Sequence, residues 1–130
     1  MWPRPRFSGL WTRTRVSSAG SDPREELVRL LGLTGRGDQQ AFAELYQRTS
    51  SKLFGICLRM LGDRGAAEDV LQEIYTTVWR RAASFDAAKA AAMTWLVALS
   101  RNKAIDRLRQ RREERLDDRS GQSEIADDQP

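Results

Sequence analysis

Between residues 38 and 108 the apolar side chains recur at steps of three and four and nowhere alternate. That period belongs to helices with one buried stripe each, so the chain must pack helix against helix. Phe42, Leu45, Tyr46, Leu53, Phe54, Cys57, Leu58 and Leu61 form one stripe. Ala67, Val70, Leu71, Ile74, Val78 and Trp79 form a second, within a helix expected over residues 66–81. Trp95, Leu96, Leu99, Ile105 and Leu108 form a third.

The punctuation agrees. Asp38 can cap the first long helix, Gly62 can end it, and Asp63 can cap the next. A connection that short favours antiparallel packing. The second helix ends near Ala83, and residues 84–89 make the next connection. Upstream, Asp22-Pro23 with Glu25 and Glu26 reads as a helix start. Leu27, Leu30 and Leu31 give that short helix an apolar face, and Gly32 with Gly35-Arg36-Gly37 ends it. The expectation is an all-α fold: a small bundle of three main helices plus a short N-terminal helix, flanked by disordered tails. The divisions are 1–22, a disordered extension; 23–36, the short helix and turn; 37–113, the main domain; and 114–130, an acidic flexible linker.

Several function classes are excluded early. The single Cys57 gives no disulfide framework and fits a reducing cytosol. On its apolar stripe it reads as a small core residue. The chain has no histidine, which weakens zinc, di-iron and histidine-base chemistry. No Gly-rich phosphate loop, serine elbow or cysteine cluster is present, and three short helices offer no pocket for a catalytic carboxylate pair. Neither an enzyme, a metal site nor a cofactor is therefore expected. No apolar run approaches a membrane span. Residues 1–22 show no period and no signal-peptide core, although their arginine-rich, acid-poor composition overlaps that of organellar transit peptides.

Charge carries more information. Residues 97–115 hold seven basic and three acidic residues, against nine of each over 25–96. Residues 116–130 hold one arginine and five acids. A basic segment following a neutral core points to a polyanion contact at one end of the domain. Arg101, Lys103, Arg107 and Arg109 can reach phosphates, and the Asn102 amide can pair with a base edge. Phe85, Asp86 and Lys89 lie just before this helix and Trp95 lies on it. Aromatic side chains beside cations suit capture of a single strand, where stacking is worth ~1–3 kcal/mol per base. Phe85 and Trp95 serve equally well as core residues. Residues 66–81 add an acidic face of Glu68, Asp69, Gln72, Glu73 and Thr76, with no basic partner four residues further on. Such a face is either solvated surface or a docking site for a basic partner.

These segments resemble a known family. GDQQAFAELYQRTSSKLFGICLRMLGDRGAAEDVLQEIYTTVWRRAASFD, followed by TWLVALSRNKAIDRLRQRR, is similar to region 2 of bacterial RNA polymerase sigma factors of the sigma-70 family. Within that family it looks most like the extracytoplasmic-function (ECF) group, with the SigK type as a candidate subgroup. The match spans residues 37–112. The resemblance implies that Asp69, Val70, Leu71, Gln72 and Glu73, with Glu68 at the margin, bind the β′ clamp coiled coil of core RNA polymerase. It implies that the loop over residues 84–90, with Ser84, Phe85, Asp86 and Lys89, holds a base flipped from the promoter −10 element. It implies that Arg101, Asn102, Lys103, Asp106, Arg107 and Arg109 contact promoter DNA, so that the protein recognises and helps melt the −10 element at transcription initiation, in the cytoplasm. An anti-sigma factor is an expected further partner; membrane insertion is not expected.

The chain departs from the family in three places. Its loop reads Phe-Asp-Ala-Ala-Lys where the family has Phe-Asp-Pro-x-x-Gly, which makes the loop more helix-prone. The C-terminal helix-turn-helix domain (region 4) is expected to be absent, and the N-terminal residues have no counterpart. Two other readings follow: a truncated helical adaptor or decoy that docks on polymerase without initiating transcription, and a generic helical DNA-binding protein.

Overall fold

The structure is a computed structural model that describes residues 22–126, with side chains described through residue 118. The described residues are all-α: helices α1 (Pro23–Gly35), α2 (Gln39–Leu61), α3 (Arg64–Arg81) and α4 (Ala92–Ala126), with a 3-10 turn at Ala82–Ser84. The expected disordered extension falls outside the described residues except for Asp22, and residues 127–130 fall outside them too.

Each start and stop has a local cause. The Asp22 carboxylate accepts the Arg24 N–H at 3.1 Å, and Asp38 accepts the N–H groups of Gln40 and Ala41 at 3.0 Å. Gly62 closes α2 in the left-handed region, at φ 69°. An alanine would be strained there. Asp63 then accepts the Ala66 N–H at 3.3 Å and opens α3. These side chains satisfy amide groups that a helix end leaves without partners.

Helices α2 and α3 lie antiparallel around an aromatic cluster. Phe42 packs on Trp79 with centroids 5.1 Å apart, and Tyr46 packs on Tyr75 at 4.6 Å. Both spacings suit tilted ring pairs. A hydroxyl chain runs through the centre of this cluster. Thr49 donates to the Leu45 carbonyl at 2.7 Å, so its single proton is committed, and Tyr75 donates to Thr49 at 2.5 Å. Both side chains are buried. Burial pushes the Tyr46 phenol up to about 12 and the Cys57 thiol up to about 11, which leaves Cys57 an uncharged core residue at neutral pH.

Helix α4 lies across the pair along a four-residue ridge of Ala92, Leu96, Ser100 and Ala104, all buried. Ser100 satisfies its hydroxyl on the Leu96 carbonyl at 2.8 Å. The sequence stripe ran differently. Ile105 and Leu108, expected to be buried, are 41% and 37% exposed. Small residues let the helix backbones approach closely, and they turn the large aliphatic positions beyond Leu99 outward. Past Ala104 the seam continues as ion pairs to α3 and its cap: Arg107 to Asp69 at 3.5 Å and Arg111 to Asp63 at 4.0 Å.

The stretch over residues 114–126, expected to be a flexible linker, continues α4 as helix. Residues 111–116, Arg-Arg-Glu-Glu-Arg-Leu, are strong helix formers with no proline to stop them. The loop over residues 85–90, made helix-prone by the loss of its proline and glycine, does not become helix. Asp86 closes it as a single turn, accepting the Ala88 N–H on its carboxylate at 2.9 Å and the Lys89 N–H on its carbonyl at 2.9 Å.

The hydroxyl chain makes a test of the core. Tyr75→Phe removes one donor and leaves Thr49 still bonded to Leu45, a loss of about 1 kcal/mol. Thr49→Val strands the buried Tyr75 hydroxyl and costs more, about 1–3 kcal/mol. Thermal melts should therefore rank wild type above Tyr75→Phe above Thr49→Val; the reverse order would remove the chain from the account.

A second test uses pH. Glu26 is buried, and the hydrogen bond from Arg29 holds its carboxyl below the usual 4.5, against an opposing push from burial. Its folded value is depressed, so its stabilisation is complete above pH 4.5 and is lost as pH falls through the folded value. Melts of Glu26→Gln should lose this acid-side decline; an unchanged profile would contradict it.

Candidate functional site

The exposed face of α3 is acidic because its apolar stripe turns the carboxylates outward. Glu68, Asp69, Gln72 and Glu73 are exposed. Val70 is fully buried and Leu71 is only 8% exposed. The structure therefore puts Val70, one of the five residues expected at the polymerase, inside the core, where its role is to hold the face in position. Leu71 reaches the edge of a groove with Tyr46, Ser50 and Phe54 of α2, of about 380 Å³.

Two carboxylates have partners that were not foreseen. Glu68 pairs with Arg64 at 3.3 Å, four residues before it rather than after it. The same guanidinium lies over the Phe54 ring at 5.4 Å. Asp69 pairs across the helices with Arg107. Glu73 carries no ion pair among the described residues, which leaves it the uncommitted charge of the face. Exposed pairs of this kind are worth about 0–1 kcal/mol, so none of them locks the face against a partner.

The loop and α4 come together at the other side of the bundle. Phe85 and Trp95 are both partly buried, packed on the core and on each other with centroids 5.6 Å apart. Both are thus structural in part, while Ser84, Asp86 and Lys89 are exposed around them. The Ser84 hydroxyl donates to the Arg81 carbonyl at 2.7 Å, which ties it to the end of α3.

Along α4, Arg101 and Asn102 are exposed and Lys103 is half-buried. Asp106 and Arg109 pair with each other at 3.3 Å, and Arg107 turns toward Asp69. The expected six residues are thereby divided. Arg101, Asn102 and Lys103 keep their heads free of ion pairs among the described residues; Asp106 and Arg109 are paired on the surface of α4, and Arg107 alone reaches another helix.

Sequence reasoning missed two cations. Lys52 and Arg59 of α2 line a groove with Arg101, over Ile56, Met60 and Val97. Their seven-residue spacing puts both on one helix face, a signal present in the sequence but overshadowed by the arginine-rich segment downstream. Among the described residues no cluster of three or more metal-ligating side chains occurs, and no helix is long and apolar enough to cross a membrane.

Comparisons with known proteins meet this geometry. Residues 45–114, over half of the chain, match the sigma-70 region 2 family. The chain is 44% identical over 84 residues to the ECF RNA polymerase sigma factor SigK of Mycobacterium bovis (strain BCG / Pasteur 1173P2), covering 65% of this chain and 45% of that protein. It is 39% identical over 85 residues to SigK of Mycobacterium ulcerans (strain Agy99), covering 65% and 46%. It is 38% identical over 84 residues to SigK of Mycolicibacterium vanbaalenii, covering 65% and 43%. The chain thus spans a little under half the length of these curated relatives. The matched segment contains most of α2, all of α3, the loop and the first two-thirds of α4. It carries the acidic face, the aromatic pair and the free cations together, and the chain belongs to the sigma-70 region 2 family.

Proposed function

We propose that this chain acts in transcription initiation as the region 2 domain of an ECF sigma factor, over residues 37–113, docking on core RNA polymerase and reading the promoter −10 element. The observation that carries the reading is the separation of two faces of opposite charge on one bundle. Glu68, Asp69, Gln72 and Glu73 present an acidic surface on α3, beside the α2–α3 groove edged by Leu71. Arg101, Asn102 and Lys103 present a basic and amide-bearing surface on α4, with Lys52 and Arg59 beside it. A domain that must hold a protein and a nucleic acid at once needs its surfaces arranged in this way, because each charge attracts one partner and repels the other.

On this reading the acidic face receives the β′ clamp coiled coil of core polymerase. Val70 serves by fixing the helix, while Asp69, Gln72 and Glu73, with Leu71 at the groove, make the contact. The loop with Ser84, Phe85, Asp86 and Lys89 receives a base flipped from the −10 element. The Phe85–Trp95 pair gives that base an apolar wall, which offsets an unstacking cost of a few kcal/mol. Arg101 and Lys103 hold phosphates, Asn102 reads a base edge, and Arg107, Asp106 and Arg109 enter once their pairs exchange. The chemistry of polymerisation belongs to the polymerase, which places the domain in the cytoplasm with it; no cofactor or metal enters.

Two substitutions test the two faces. Glu73→Lys breaks no ion pair in the domain, so it should leave the melting temperature unchanged and lower binding to purified core polymerase at least tenfold, from about 1.4 kcal/mol or more. Unchanged binding would remove the docking role of α3. Asn102→Ala should spare polymerase binding and reduce selection among −10 sequences by about 1–3 kcal/mol per misread base. If it lowers affinity for all DNA equally, the chain is a general DNA-binding helix instead.

A further inference from the structure

Helix α1 has no part in either face, yet its last turn touches the connection that leads into the loop. A Cβ placed on Gly35 would lie 2.9 Å from both the Cα and the amide nitrogen of Ala83, and 3.2 Å from the Ala82 carbonyl carbon. These are backbone atoms, which cannot swing aside as the end of a side chain can. One turn earlier the cleft is open: a Cβ on Gly32 would meet nothing within 4 Å. Helix α1 and the 3-10 turn therefore meet backbone to backbone at Gly35, and only glycine permits it there.

That contact is continuous with the loop. Ala82 is buried, and its carbonyl accepts the Phe85 N–H at 3.1 Å. Phe85 then lies against Trp95 of α4. Downstream of Phe85 the loop has neither proline nor glycine to set its path, and it folds as a local turn in which Asp86 accepts the Ala88 and Lys89 N–H groups. The position from which the loop leaves the bundle is thus held at its start by two contacts, α1 against Ala82 and Ala83 and Phe85 against Trp95.

We propose that Gly35 is a positioning residue: it seats α1 against Ala82–Ser84 and so sets where Phe85 and the loop over residues 84–90 present themselves to the single strand. The inference rests on the reading of that loop as the base-holding element. A side chain at position 35 would displace the 3-10 turn and with it Phe85, while the acidic face of α3, at the opposite end of its apolar stripe from Ala82, keeps its geometry.

The experiment compares Gly35→Ala with Gly32→Ala in the full chain. Alanine is the better helix former at both positions, so Gly32→Ala controls for helix propensity. The DNA probe is a non-template-strand oligonucleotide selected from a randomised pool by the wild-type chain bound to core polymerase. Gly35→Ala should bind core polymerase within about twofold of wild type and lose roughly tenfold or more in oligonucleotide affinity, as misplacement of a binding element costs. Its amide resonances over residues 84–90 should shift, and those of Gly32→Ala should not. Equal oligonucleotide affinity and unmoved loop resonances would overturn the proposal, as would a parallel loss of polymerase binding. Should the wild-type chain itself select no oligonucleotide, the function reading fails, and the loop resonances still judge the contact. Native-state hydrogen exchange on the wild type gives a measurement independent of any variant. The Phe85 amide should exchange in the same cooperative unit as the α1 amides; exchange at an independent, faster rate would overturn the proposal too.

Discussion

The close approach of α4 to the α2–α3 pair is the constraint on which the rest of the molecule depends. Ala92, Leu96, Ser100 and Ala104 make the buried ridge, and only Leu96 among them is large. A ridge so low brings the helix backbones near one another and decides the rotation of α4 about its axis. That rotation exposes Arg101 and Asn102, half-buries Lys103 and turns Arg107 and Arg111 toward the carboxylates of α3. A bulky side chain at position 100 or 104 would rotate a different set of residues to the surface. The seam determines the surface chemistry of the domain while contributing no functional group of its own.

The two faces are joined as well as separated. Asp69, on the acidic surface, shares an ion pair with Arg107, on the helix that carries the basic surface. With Asp69 largely exposed, the pair is weak and exchangeable. The stability of the bundle lies elsewhere, in the aromatic cluster of Phe42, Tyr46, Tyr75 and Trp79 and in the hydroxyl chain through Thr49. Affinity and stability thus draw on different residues, which lets the surface charges be spent on partners without loosening the fold.

Much of this was legible in the sequence where the cause is local. The caps at Asp22, Asp38 and Asp63 and the stop at Gly62 follow from residue type and spacing, and the structure has each in place. The apolar stripes of α2 and α3 followed from period alone. What failed to show was what depends on a partner distant in the chain. The α4 ridge is built from alanine and serine, which give no hydrophobic signal, whereas Ile105 and Leu108 give a strong one and are exposed. Arg107 could not be assigned to Asp69 without the helix pairing. Val70 lay on the apolar stripe by its period and joined the contact set only through the family resemblance; the structure keeps it on the stripe, fully buried. The segment after Leu116 was read from its acidity as linker, and Asp117, Asp118, Ser120 and Gly121 are indeed poor helix formers that do not announce the continuation of α4.

The central claim is that one bundle holds polymerase with α3 and DNA with α4 at the same time. Site-specific photo-crosslinking tests it most directly. A photoreactive residue at position 72, and another at position 102, would be introduced singly into the chain assembled with core polymerase and promoter-type DNA. The account predicts that position 72 captures the largest polymerase subunit and position 102 captures the non-template strand, in the same preparation. Capture of DNA from position 72, or of polymerase alone from position 102, would contradict it.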